Sequence, residues 1–295
     1  MLVESLRKLS IQKLFAVPTF SKNWPKWQSE IRALIGKNYS ADDILNIADS
    51  LRNIVKSTTV EGRGQSELAK VGAAWECLVT WYLNLCLVNT RAVVFKFYKN
   101  IIPTSIKEAL TVNFSGGNYL SESDLIGFVL PNKPDYLEKK TNDISSTINL
   151  FEEFSNNNFK DFEVSVIQCK TNWNDSAQIP FLWNLLYKLG GVSQENVRIG
   201  INNRATNALK RFDYSFVTMP TKKNLDTYKS GGLQVERVKN LSGGNYWGTK
   251  TKNGVASSLK EMIGKSFKSA FDRKDIRDSI NDFLKDKEQI SYFKI

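Results

Sequence analysis

The 295-residue chain has no histidine. That absence excludes Ser-His-Asp hydrolysis, Cys-His proteolysis and any zinc site with an imidazole ligand. Cysteine is scarce. Only Cys77, Cys86 and Cys169 are present, and no two have the C-x-x-C spacing. A thiolate zinc centre or a disulfide framework is therefore not expected, and three unpaired thiols suit a reducing compartment. Long apolar runs are missing too: none approaches the roughly 18 residues of a membrane span. The opening MLVESLRKLSIQKLF is broken by charge and lacks an apolar signal core and a small-residue cleavage site. These absences predict a soluble, cytoplasmic protein.

What is present is globular. The chain is 41% hydrophobic, 12% aromatic and 24% charged, which is ample for a sizeable core. Its net charge of +11 is uneven: residues 201–295 carry 19 Lys/Arg against 10 Asp/Glu. A basic C-terminal third beside a nearly neutral remainder predicts a polyanionic partner, and nucleic acid is the common one; a solubilising surface is the bland alternative. The length is read as one domain with a helical N-terminal region (1–60), a core (61–220) and a basic extension (221–295).

The patterning predicts an α/β fold, a mixed central β-sheet flanked by helices. Leu2, Leu6, Leu9 and Leu14 recur at helical spacing, and Pro18 and the SKNWPKW stretch are expected to end that helix. Ser40 and Asp43 mark the next helix start. A long helix is expected over 66–88, with Leu68, Gly72, Trp75, Glu76, Val79 and Leu83 on one face; Glu76 is the odd acid in that stripe. Residues 91–98, 120–130, 162–170, 197–201 and 214–219 read as strands, and 147–154 and 179–189 as helical. The Gly-, Asn- and Lys-rich stretch 230–254 reads as a loop, with helices over 255–271 and 275–286. The pentapeptide SGGNY, at 115–119 and 242–246, reads as a turn in both places.

Two segments carry the chemistry. Ser123-Asp124-Leu125-Ile126-Gly127 places an acid at the start of an apolar strand. Val164-Ser165-Val166-Ile167-Gln168-Cys169-Lys170 is an apolar strand ending in Gln-x-Lys. Residues 168 and 170 are two apart, so their side chains share one face of the strand. Pro134-Asp135-Tyr-Leu-Glu138-Lys139-Lys140 contains similar letters, but no apolar strand leads into it, and it is set aside.

This pair resembles the PD-(D/E)XK nuclease superfamily, which includes most type II restriction endonucleases. Asp124 matches the strand-end Asp. Gln168-Cys169-Lys170 matches the (Asp/Glu)-x-Lys half-motif, with Gln in place of the acid, and Ser123 stands where Pro is usual. Glu76 resembles the acid that many members contribute from a preceding helix. The resemblance implies a restriction-endonuclease-like core and Mg²⁺-dependent hydrolysis of double-stranded DNA at a short sequence, usually by a homodimer, in a prokaryotic cytoplasm. Mg²⁺ favours oxygen donors. Asp124, Gln168, Glu76 and the main-chain carbonyl of Cys169 are the candidate ligands. Lys170 would position the attacking water or stabilise developing charge.

Candidate DNA contacts are Asn172, Asn174 and Gln178 after the motif, Arg198, Asn203 and Arg204 near a strand end, Asn245 and Lys250 in the Gly-rich stretch, and Lys260 on the penultimate helix. Arg and Asn are the types that read guanine and adenine, and Lys suits phosphate. Bland readings stand beside these. Asp124 can cap a turn, Lys170 can snorkel from a strand end, and Cys169 is a small core residue. Two other functions stay open: a structure-selective repair or junction nuclease with the same site, and a non-catalytic DNA-binding protein, which Gln168 in place of an acid favours.

Overall fold

The computed structural model describes residues 1–59, 65–120, 123–171, 178–189, 197–219, 227–252, 254–255, 259–272, 275–285 and 291–295; the side chains at 65–68, 178–179, 234 and 260 fall outside that description. Helices α1 (Leu2–Phe15), α2 (Pro18–Ile35), α3 (Ala41–Asn46) and α4 (Leu51–Ser57) precede the long α5 (Gln65–Cys86). Then come β1 (Ala92–Lys96), α6 (Thr104–Leu110), β2 (Thr111–Phe114), β3 (Gly117–Leu120) and β4 (Leu125–Val129). The short α7 (Pro134–Leu137) and α8 (Ile144–Asn157) lead into β5 (Glu163–Lys170), α9 (Gln178–Lys188), β6 (Val197–Ile199) and β7 (Arg211–Thr218). The chain closes with α10 (Leu233–Lys239), β8 (Asn245–Tyr246), α11 (Leu259–Met262) and α12 (Ile276–Leu284).

The fold is α/β. A mixed five-stranded sheet runs in the order β1-β4-β5-β7-β8, and a second, three-stranded sheet runs β3-β2-β6. β4 runs antiparallel to both of its neighbours, β1 and β5, whereas β7 joins β5, and β8 joins β7, in parallel. The central strands are covered on both faces, which is why their sequences read as continuous apolar runs rather than as alternation. Ala92, Val94, Leu125, Ile167 and Val217 face the core that includes α5, while Val93, Phe95, Ile126, Phe128, Val164 and Val166 face a second core with Phe151 and Phe154 of α8. Antiparallel pairing of β4 with β5 needs no helical crossover; the parallel step from β5 to β7 does, and α9 lies within that connection.

Several elements differ from the sequence expectation. Pro18 starts α2 rather than ending a helix, and Pro25 lies inside it. An interior proline costs about 3 kcal/mol. Phe20, Trp24, Trp27, Ile31 and Ile35 are all buried along one face of α2, and each large side chain contributes about 1.5–3 kcal/mol, so burial wins. The stretch 230–254 is not a loop throughout: it holds α10 and β8, with Val235, Val238, Tyr246 and Trp247 buried. The two SGGNY copies also part company. Ser115 and Gly116 have positive φ and turn β2 into β3. Gly244 instead lets backbone approach backbone, since a Cβ there would lie 2.2 Å from the Met262 Cα. Strand β6 joins the second sheet, not the central one. Residues 263–267 form a π-turn within the expected C-terminal helix; it ends at Phe267, whose ring sits where a Cβ on Gly127 would be.

Candidate active site

Asp124 sits one residue before β4, whose register pairs Leu125 with Ile167, so Asp124 lies across from Gln168 near the end of β5. The backbone there is held: the Phe97 N–H donates to the Asp124 carbonyl at 3.0 Å, and the Met219 N–H donates to the Lys170 carbonyl at 3.0 Å. One carboxylate oxygen, Asp124 Oδ2, gathers three donors. Gln168 Nε2 donates to it at 2.5 Å, the Cys169 backbone N–H at 2.7 Å, and Lys170 Nζ lies 3.7 Å away. The structure thus brings together Asp124, Gln168 and Lys170 from the ends of two adjacent strands. Asp124 Oδ1 takes part in none of these contacts.

A carboxylate only accepts, so it is the NH₂ end of Gln168 that must face Asp124. The other end, Gln168 Oε1, accepts from the Tyr214 hydroxyl at 3.2 Å. Tyr214 lies on β7 and is buried, which raises its phenol and keeps the donor proton in place. Both ends of the Gln168 amide are therefore engaged.

Glu76 enters from α5, on the other side of the sheet. It is ion-paired with Lys96 Nζ at 2.8 Å, and the side chains are 19% and 21% exposed. Lys96 is the last residue of β1 and pairs in register with Leu125. The carboxyl of Asp124 is raised above its usual range. Burial is the main cause; Lys170 and the Cys169 N–H pull it down, while the Glu76 charge pushes it up. Desolvation lowers and the Glu76 hydrogen bond raises the Lys96 ammonium, with a net rise. The Cys169 thiol is driven far up, first by burial and then by the Asp124 and Glu76 charges, so it is no nucleophile. Asp124 with Lys170 and Glu76 with Lys96 thus form two carboxylate–ammonium pairs whose formal charges cancel.

The donor types fit a hard divalent cation. Asp124, Glu76, the Gln168 carbonyl and the Cys169 main-chain carbonyl all offer oxygen. Gln168 would offer its oxygen to the Asp124 side only after its amide turns over. Among the described residues no group of three or more Asp, Glu or Cys side chains is placed to hold a metal. A cation here would therefore rest on two carboxylates and on carbonyl or substrate oxygens.

The proposed DNA contacts do not all gather around this site. Asn172 and Asn174 lie outside the described residues, as do the side chains of Gln178 and Lys260. Arg198 and Asn203 are exposed, on β6 and just beyond it. Arg204 is bound to Glu108 at 3.3 Å and stacks 4.9 Å over the Phe159 ring. Phe159 precedes the start of β5, so Arg204 lies at the opposite end of that strand from Lys170, roughly 23 Å away at strand rise. Asn245 is corrected outright: it is buried at 1%, accepts from Trp247 Nε1 at 2.7 Å and donates to Glu261 Oε1 at 3.3 Å. That burial removes it from any base edge. Lys250 pairs with Asp49 at 2.6 Å and borders a cavity of about 1000 Å³ that Glu163 and Arg211 also line. Glu163 and Arg211 begin β5 and β7, so this large cavity lies at the far end of the sheet from Asp124.

Lys96 and Tyr214 were not singled out in the sequence. Lys96 ends an apolar strand just as Lys170 does, and that parallel is the signal available. Tyr214 alternates with Phe212 and Phe216 and reads as core until β7 is placed beside β5. No family model matches the chain, and no curated protein matches it significantly. Among the described residues, no helix is long and apolar enough to cross a membrane.

Proposed function

We propose that the chain is a Mg²⁺-dependent endonuclease of the type II restriction kind, with a restriction-endonuclease-like core, acting as a homodimer on double-stranded DNA at a short sequence. The observation that carries this reading is the convergence of Asp124, Gln168 and Lys170 on one carboxylate oxygen at a shared strand end. The chain order supports it: α5 with Glu76, then β1, β4 and β5, each antiparallel to the next, then α9 and the parallel β7. The basic C-terminal third supplies charge of the sign a phosphate backbone needs.

A bound divalent cation would polarise the scissile phosphate and lower the pKa of a water. Asp124 and Glu76 hold carboxylate charge for it, with the Cys169 carbonyl and Gln168 at the same strand end. Lys170 Nζ stands beside Asp124 and can hydrogen-bond the attacking water or the phosphoryl oxygen on which charge develops. Gln168 is buried and Asp124 is partly covered, which limits water around these groups and strengthens their electrostatics.

Digestion of a defined plasmid with Mg²⁺ tests the proposal. Discrete fragments from the wild type and none from Asp124→Ala support it; an uncut plasmid in every divalent metal rules it out. The second reading is a DNA-binding protein without catalysis. It is favoured by the engaged Gln168 amide and by the near-neutral charge of the site, both of which weaken the hold on a cation. It predicts DNA affinity that is indifferent to Mg²⁺ and to Asp124→Ala.

A further inference from the structure

We propose that Lys96 is a phosphate-contacting residue held in reserve by Glu76, and that a divalent cation recruiting the Glu76 carboxylate releases the Lys96 ammonium to the DNA backbone. The inference rests on the nuclease reading and adds to it a coupling between metal and DNA.

Lys96 Nζ lies 2.8 Å from Glu76 Oε2, with both side chains about four-fifths covered. A partly desolvated ammonium needs a partner, because losing one costs more than an exposed pair would. Lys96 pairs with Leu125 across β1 and β4, and its neighbour Phe97 donates its N–H to the Asp124 carbonyl, so the Glu76–Lys96 pair stands beside the strand position that carries Asp124, where the Glu76 charge also raises the Asp124 carboxyl. Glu76 is thus the carboxylate on which both Lys96 and a cation at Asp124 would draw. One carboxylate cannot fully neutralise both cations. When Glu76 turns to a divalent ion, Lys96 is left with excess positive charge beside Asp124. The scissile strand is then the nearby anion. Lys170 pairs with Asp124 and not with Glu76, so the two lysines serve different groups.

Metal and DNA should therefore bind with positive coupling, and linkage requires that each strengthen the other equally. Affinity for duplex fragments of a defined plasmid, followed by fluorescence anisotropy across a salt series, tests this. In the absence of metal, Glu76→Gln frees Lys96; it should tighten binding severalfold and steepen the salt dependence by about 0.9, one added phosphate contact. The double variant Glu76→Gln/Lys96→Gln should lose that gain. Glu76→Gln/Lys96→Arg, which keeps the charge, should retain it. Ca²⁺ should strengthen wild-type binding and do so less in Lys96→Gln, which preserves a hydrogen bond to Glu76; thermal melting verifies that each variant is folded. A gain that survives in the double variant reflects loss of negative charge alone and overturns the role of Lys96 while leaving the nuclease reading intact. A wild type that binds no duplex DNA under any condition removes both.

Discussion

Gln168 Nε2 donates to Asp124 Oδ2 at 2.5 Å, so the Gln168 amide turns a donor toward its carboxylate neighbour. A glutamate at 168 would lack that donor and bring a second negative charge against Asp124. Gln168→Glu should therefore lower the metal-free melting temperature, because two carboxylates at this separation repel. Mg²⁺ should restore more stability in the variant than in the wild type, since the added oxygen charge binds the ion. Thermal melts with and without Mg²⁺ check this; equal Mg²⁺ shifts in both proteins would exclude a cation between the two residues.

Lys170→Met keeps much of the apolar stem and removes the ammonium that lies 3.7 Å from Asp124. Plasmid cleavage should fall by about 10²–10⁴-fold, the range for a positioned proton-transfer or charge-stabilising group. Mn²⁺ affinity, read by electron paramagnetic resonance, should hold or rise because a competing cation has gone. A parallel loss of Mn²⁺ binding would assign Lys170 to site integrity instead of chemistry.

Tyr214→Phe deletes the hydroxyl that donates to Gln168 Oε1 at 3.2 Å. The buried acceptor is left unpaired, which costs about 1–3 kcal/mol of stability by chemical denaturation. The Gln168 amide also loses the partner that holds its carbonyl away from Asp124. Mg²⁺ dependence of cleavage should therefore shift, whereas a residue of purely structural importance would change only the denaturation midpoint.

Glu163 tests a different end of the sheet. Its carboxyl is depressed: burial raises it, but hydrogen bonds from Lys210 and Ser269 and the charges of Lys210 and Arg211 outweigh that. A depressed acid contributes stability that is full above its unfolded pKa, near 4.3, and is lost as pH falls through the lower folded value. Glu163→Gln should thus melt earlier than the wild type at neutral pH. The gap should close as pH drops below that unfolded value.

The strands β4 and β5 were legible because their continuous apolar runs end abruptly in Asp124 on one side and Gln168-x-Lys170 on the other; period-two geometry then places 168 and 170 on one face. The capping box of Ser40 and Asp43 was legible for the same local reason. Pro25 misled because local propensity disfavours it, while the helix around it is paid for by aromatic burial that no short window contains. Asn245 misled for a related reason. Its Gly- and Lys-rich neighbours suggest a loop, yet β8 adds to the sheet beside β7 and buries it.

Composition and pattern alone determined the α/β class, the lack of any imidazole ligand, and which two strand ends carry polar groups. Those are properties of one residue type or one short window. The tertiary structure decided which groups meet: the antiparallel register of β4 on β5 sets Gln168 against Asp124, the parallel register of β7 sets Tyr214 against Gln168, and the packing of α5 sets Glu76 against Lys96. Each of these pairs spans 20 or more positions along the chain. Their contact depends on strand order and register, which are settled by how whole faces bury together rather than by any local preference.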